Sequence, residues 1–323
     1  MELLTMENIL ENAKVYIPAD VPGLMEAIYA QNLYLMTDGT GRFMLFAGDQ
    51  RVEHAKGNTD FFGENISLDD KTPRHLFEIA SNGKIGFFAA HYGSITQYAR
   101  EYPDVVYLVK MNGKTNFVGI DQKDPVSRQI VEFDKVLSLK EKRPELKIPA
   151  VGYTIYLGSE YEAEMLTEAG NLVADAHDSG MLSVLWIYPR GKAIKGEEEK
   201  SIHTIAGAAG VAHSLGADVV KLPFVENIDI KLYDEVINAA GKTKVVFAGG
   251  SSTDPELFLK RLYKQIEIGA SGNATGRNIH QLDYEKAVRM CDSISSLTLY
   301  NKELEDALSV YQGRKTLDQI LRA

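Results

Sequence analysis

Cysteine and tryptophan are nearly missing from this 323-residue chain, which holds one of each, Cys291 and Trp186. A lone cysteine excludes an internal disulfide and any Cys-rich zinc or iron–sulfur centre, and it fits a reducing, cytoplasmic setting. Basic residues are also short: 35 Lys and Arg face 45 Asp and Glu, a formal net charge of -10. Nucleic acids and anionic membranes are held by clustered cations that displace counterions, so neither is an expected partner. No apolar run approaches the length of a membrane span. The stretch Met1–Ala13 carries Glu2, Glu7 and Glu11 without an apolar core, so it does not read as a secretory signal. Strand-end HxH or HxxxH pairs are absent too, and although Asp49, Glu53, His54 and His91 invite the question, no catalytic metal or other cofactor is expected.

What is present is an alternation. After an extension over residues 1–40, short apolar runs alternate with longer segments of helical period. The strand candidates are Arg42–Asp49, Lys84–His91, Val105–Met111, Ala150–Tyr156, Leu182–Tyr188, Asp218–Leu222, Lys244–Ala248 and Ala270–Thr275. The last, rich in Gly and Asn, is weak on propensity. Helices are expected over Glu160–Asp178 with Ser159 as cap, over Lys200–Leu215, and from Thr253–Asp254–Pro255 onward through Leu257, Phe258, Leu262 and Ile266. Strands joined through helices are parallel and buried on both faces. Eight such units predict an α/β fold, a (β/α)8 TIM barrel, as one domain over 41–323. The competing doubly wound sheet calls for a Gly-rich dinucleotide turn after its first strand, and FAGDQRVEH has none.

Chemistry in such a barrel belongs at the C-terminal ends of the strands. Lys221 stands there among apolar neighbours, where desolvation lowers an amine's pKa and readies it for attack on a carbonyl; snorkelling to solvent is the competing reading. Asp49 and Tyr188 end the first and fifth strands, and their bland readings are a turn-capping carboxylate and a packing tyrosine. Gly249–Gly250 and Gly276–Arg277 follow the last two strands, where glycine backbones approach phosphate closely and Arg277 can add a charged contact.

The elements AVGYTIYLGS, LWIYPRG, ADVVK, FAGGSST and ATGRNIHQ resemble, in order and spacing, the archaeal-type class I fructose-bisphosphate aldolases, the DhnA-like group, from about Phe43 to about Gln281. The resemblance implies Lys221 as Schiff-base nucleophile, Tyr188 as proton donor and acceptor, and Asp49 as catalytic partner. Trp186 matches the family's tryptophan, Gly249, Gly250, Gly276 and Arg277 its phosphate turns, and Lys110 a further family lysine. It implies a sugar-phosphate substrate and a homo-oligomer. Two departures stand out: Asp49–Gln50–Arg51 where many members read Asp-His-Gly, and Lys221–Leu222–Pro223 where many read Lys-x-Lys. Related readings are an enzyme of the 2-amino-3,7-dideoxy-D-threo-hept-6-ulosonate synthase kind or a deoxyketose phosphate aldolase, using the same lysine, and a non-catalytic sugar-phosphate-binding barrel.

Overall fold

Eight parallel strands close into a barrel: β1 (Phe43–Ala47), β2 (Phe87–His91), β3 (Val106–Lys110), β4 (Lys147–Leu157), β5 (Leu182–Pro189), β6 (Val219–Leu222), β7 (Lys244–Ala248) and β8 (Gly272–Thr275), each hydrogen-bonded to its sequence neighbours and β8 to β1. The computed structural model describes residues 17–194, 196–226 and 228–322. The expectation for Met1–Ala13 lies outside the described residues. Among the described residues no helix is long and apolar enough to cross a membrane.

The strands alternate inward and outward with period two. Phe43, Leu45, Ala47, Phe87, Ala89, Leu108, Val184, Trp186, Val219, Val246 and Ala274 share one buried cluster inside the barrel. Residues of the other parity, such as Phe46, Phe88, Val109, Leu185, Val220 and Phe247, join the cluster between the strands and the outer helices. Continuing the inward parity to the strand ends selects Asp49, His91, Lys110, Tyr156, Tyr188 and Lys221.

Several local expectations are corrected. β4 begins at Lys147, not Ala150, with Pro149 inside the strand. Its pairing with β3 slips between Val106 and Leu108, and that irregularity is where a residue lacking an N–H is tolerated. The helix after β4 spans Glu162–Asp178, and Ser159 is not its cap; the Ser159 hydroxyl donates to the Pro125 carbonyl and accepts from the Tyr161 N–H. The helix Pro255–Glu267 is capped as expected, Asp254 accepting from the N–H groups of Glu256 and Leu257, a contact of about 1 kcal/mol. Along it Phe258 and Leu262 are buried and Leu257 is exposed.

The extension over 1–40, left without a role by its sequence, contains helix α1 (Glu26–Thr37). It covers the N-terminal end of the barrel: Tyr29, Leu33 and Met36 are buried with the floor residues Phe43, Leu45 and Leu182. The Tyr29 hydroxyl donates to Asp218, just before β6, and Asn32 Nδ2 donates to the Gly180 carbonyl at 2.7 Å.

Candidate active site

At the opposite end, the C-terminal rim encloses a cavity of about 240 Å³. Its lining includes Asp49, Trp186, Tyr188, Lys221, Gly249, Gly250, Gly276 and Arg277, so eight residues singled out from the sequence converge on one space. Lys110, the ninth, is absent from that lining. Its ammonium is 0% exposed behind the wall and donates to the Asn112 backbone carbonyl and side-chain oxygen at 3.2 and 3.1 Å.

Lys221 is 6% exposed. It pairs in register with Trp186 on β5, and its Nζ lies 5.7 Å from the indole centre. Room for that indole comes from β4: a Cβ on Gly152 would fall on the Trp186 ring and within 2.8 Å of Leu108 Cδ2. Burial lowers the Lys221 pKa to about 8; Asp49 opposes the shift, and Lys110 and Arg277 add to it. The Asp49 side chain makes no capping hydrogen bond to the one-turn helix Gln50–Glu53 that follows it. Burial alone would raise the Asp49 carboxyl, but Lys110, at 4.0 Å, together with Lys221 and His91 holds it below its ordinary value. Tyr188 is pushed well above the ordinary phenol value, first by burial and then by Asp49 and Glu53, so it remains a proton donor across the neutral range.

The two glycine turns after β7 and β8 are stitched to one another. Asn278 Nδ2 donates to the carbonyls of Gly249 and Ser251, both at 3.1 Å, and its Oδ1 accepts from the Thr253 N–H. Arg261 donates to the Gly249 carbonyl from behind. Gly249 lies against Thr275, and Gly276 against the Gln50 amide. Arg277 has Asp60 3.7 Å from its Nε. The turns thus present backbone and one guanidinium to the cavity, the composition of an anion cradle.

Sequence reading missed six polar lining residues as site groups: Gln50, Glu53, His54, Thr154, Tyr156 and Arg190. Tyr156 ends β4 as Tyr188 ends β5, the two are register partners, and their rings stack with centres 6.1 Å apart. The strand-end rule that found Tyr188 therefore points to Tyr156 as well. In the sequence, Glu53 and His54 stand out only as potential metal ligands. Among the described residues no group of three or more His, Cys, Asp or Glu side chains is arranged to hold a metal ion.

Comparison with known proteins agrees with this geometry. Residues 43–282 match the family model described as DeoC/LacD family aldolase. The chain is 48% identical over 307 residues to the fructose-bisphosphate aldolase/6-deoxy-5-ketofructose 1-phosphate synthase of Methanocaldococcus jannaschii, covering 94% of this chain and 96% of that one. A solved fructose-bisphosphate aldolase from Slackia heliotrinireducens superposes with a TM-score of 0.90 at 48% identity, over 94% of this chain and 96% of its own. A solved archaeal fructose-1,6-bisphosphate aldolase, its catalytic lysine covalently bound to the carbinolamine intermediate of the substrate, superposes with a TM-score of 0.71 at 28% identity, over 84% and 99%. A closed parallel barrel with a desolvated lysine at its rim, matched along most of its length, makes the chain a member of the DeoC/LacD family of aldolases.

Proposed function

We propose that this protein is a Schiff-base (class I) aldolase that reversibly cleaves fructose 1,6-bisphosphate to dihydroxyacetone phosphate and glyceraldehyde 3-phosphate. The observation that carries the reading is Lys221, an amine buried at the cavity floor whose pKa of about 8 leaves a useful neutral fraction at physiological pH. In the cleavage direction the amine attacks the C2 ketone, and loss of water yields an iminium that accepts the electrons of the breaking C3–C4 bond. Asp49 and Tyr188 exchange protons with the carbinolamine as it forms and collapses, and Tyr188 protonates the enamine once the aldehyde has left. Gly249, Gly250, Gly276 and Arg277 hold the phosphate next to the ketone. Arg190 and Lys114 offer cations for a second phosphate; Lys114 Nζ is 5.9 Å from the Tyr156 ring centre, and both residues border a neighbouring cavity with Tyr156. Lys110 balances the charges of Asp49 and Glu53 without touching substrate.

The second half of the Methanocaldococcus relative's name, 6-deoxy-5-ketofructose 1-phosphate synthase, directs attention to the aldehyde end of the substrate. Comparing kcat/KM for fructose 1,6-bisphosphate and fructose 1-phosphate measures what the distal phosphate contributes. The same reading assigns the protein to the cytoplasm as a homo-oligomer. Its single cysteine is buried and unpaired, and exposed apolar side chains such as Phe62, Leu68 and Phe117 are surface that self-association would cover. The decisive experiment is sodium borohydride reduction with and without dihydroxyacetone phosphate, followed by intact mass measurement and peptide mapping. A substrate-dependent adduct on Lys221 is expected; no adduct with any ketose phosphate would leave a barrel that only binds sugar phosphates.

A further inference from the structure

Cleavage of a C3–C4 bond releases a proton that the Schiff base does not account for, the one on the C4 hydroxyl. Position around the rim says where that hydroxyl lies. The glycine turns follow β7 and β8, Lys221 ends β6, and β4 stands four strands from β8 on the far side of the mouth. A ketose with its phosphate at the turns and its C2 at Lys221 extends its aldehyde half toward the end of β4, where Tyr156 stands.

Glu53 reaches the same place from the helical turn after β1. It lines the cavity. Its Oε2 accepts from the Tyr156 hydroxyl at 3.3 Å. Its Oε1 is buried with no hydrogen-bond partner, and the nearest cation, Lys110 Nζ, stands 3.9 Å away. With a hydroxyl donor on one oxygen and its nearest cation beyond hydrogen-bond reach, the carboxylate keeps acceptor capacity for a proton. We propose that the Glu53 carboxylate receives the C4 hydroxyl proton of the ketose during bond cleavage, and returns it to the aldehyde oxygen during condensation.

This assignment rests on the Schiff-base reading. The step balances: the O–H pair becomes the second bond of the aldehyde carbonyl, the C3–C4 pair becomes the enamine double bond, and the iminium nitrogen recovers its lone pair. Tyr156 steadies the carboxylate through Oε2. Asp49 is the poorer acceptor, since neighbouring cations hold its carboxyl below the ordinary value, whereas burial raises that of Glu53.

The test separates two half-reactions of the full-length enzyme. Dihydroxyacetone phosphate alone forms the imine on Lys221 and exchanges its C3 hydrogen with D2O, and neither event involves an aldehyde hydroxyl. In Glu53→Gln, cleavage of fructose 1,6-bisphosphate should fall ~100- to 10,000-fold. Borohydride trapping and C3 exchange should stay within about threefold of the parent. Cleavage that survives within tenfold overturns the proposal, as does a parallel loss of trapping, exchange and cleavage, which would make Glu53 a support for the charges around Lys110. If Glu53→Gln does not fold, Glu53→Asp retracts the carboxylate by one methylene and should lower cleavage selectively; equal loss of exchange would again overturn it. Failure of the parent enzyme to form any adduct would instead sink the Schiff-base reading itself.

Discussion

Trp186 and Lys221 stand side by side on β5 and β6, the lysine nitrogen 5.7 Å from the centre of the indole. An aromatic face attracts an ammonium, yet this ring also displaces the water that would hydrate it, and desolvation is the larger effect: the pKa falls to about 8. Adduct formation with dihydroxyacetone phosphate should therefore rise with pH through about 8 and level off above it. Lys221→Arg should give no adduct at any pH; a mapped adduct elsewhere in that variant would move the nucleophile.

The same burial opposes folding. The unfolded lysine keeps its proton to 10.5, the folded one only to about 8, so between these values the unfolded state binds more protons and stability rises with pH. Lys221→Met removes the cost, which is present in full below about 8. The variant should be more stable at pH 7 by roughly 1–3 kcal/mol, with the gain shrinking toward pH 10. Calorimetry at pH 7 and 9.5 checks this; an equal or lower Tm at pH 7 contradicts it.

Tyr188→Phe keeps the ring that stacks on Tyr156 but removes the proton donor. C3 exchange of dihydroxyacetone phosphate should slow by ~100- to 10,000-fold, while the borohydride adduct still accumulates. Unchanged exchange would pass the role to another group.

Gly249 and Gly276 are tests of the phosphate cradle. A Cβ at Gly249 would stand 2.8 Å from Thr275 Oγ1 and 3.2 Å from Thr275 Cα, forcing the two turns apart. Gly249→Ala should raise KM for phosphorylated ketoses about tenfold with a smaller change in kcat, the signature of lost uniform binding. A fall in kcat alone would argue against a phosphate role.

A second titration belongs to the barrel's lower end. His177 is fully buried; burial would lower its pKa, but Asp218 at 3.1 Å and Asp20 at 2.8 Å outweigh that and raise it to about 9. The stability this contributes is complete below the ordinary value of 6.5 and is lost as pH climbs through about 9. His177→Gln should lower Tm most at pH 6, with the deficit closing toward pH 10. A deficit independent of pH would mean that packing, not charge, is what the histidine supplies.

The sequence made the strands legible wherever a strand is an apolar run, and the site wherever a polar residue ends one. Lys221 and Tyr188 were found because they break the pattern of their own strands. β8 was doubtful because Gly272–Thr275 owes its form to its neighbours: it pairs with β1 and β7 at once, and a Cβ on Gly272 would collide with the Phe43 carbonyl. No local propensity records that. Glu53 is harder still, because its significance lies in contacts with Tyr156 and Lys110, segments far from it in sequence. Neither Gln50 nor Pro223, the departures from the family pattern, disturbs the convergence of the eight sequence-identified lining residues, although Gln50 Oε1 is buried without a partner beside Gly276.

Helix α1 grips the strand of Lys221 from below, through the Tyr29 hydroxyl on Asp218, three residues ahead of that lysine. Anyone grafting this catalytic mouth onto another barrel, or trimming the chain back to β1 for expression, would remove the plug and leave Phe43, Leu45 and Leu182 facing water. The portable unit of this enzyme starts upstream of its first strand, and a shortened version would buy compactness with a sticky underside.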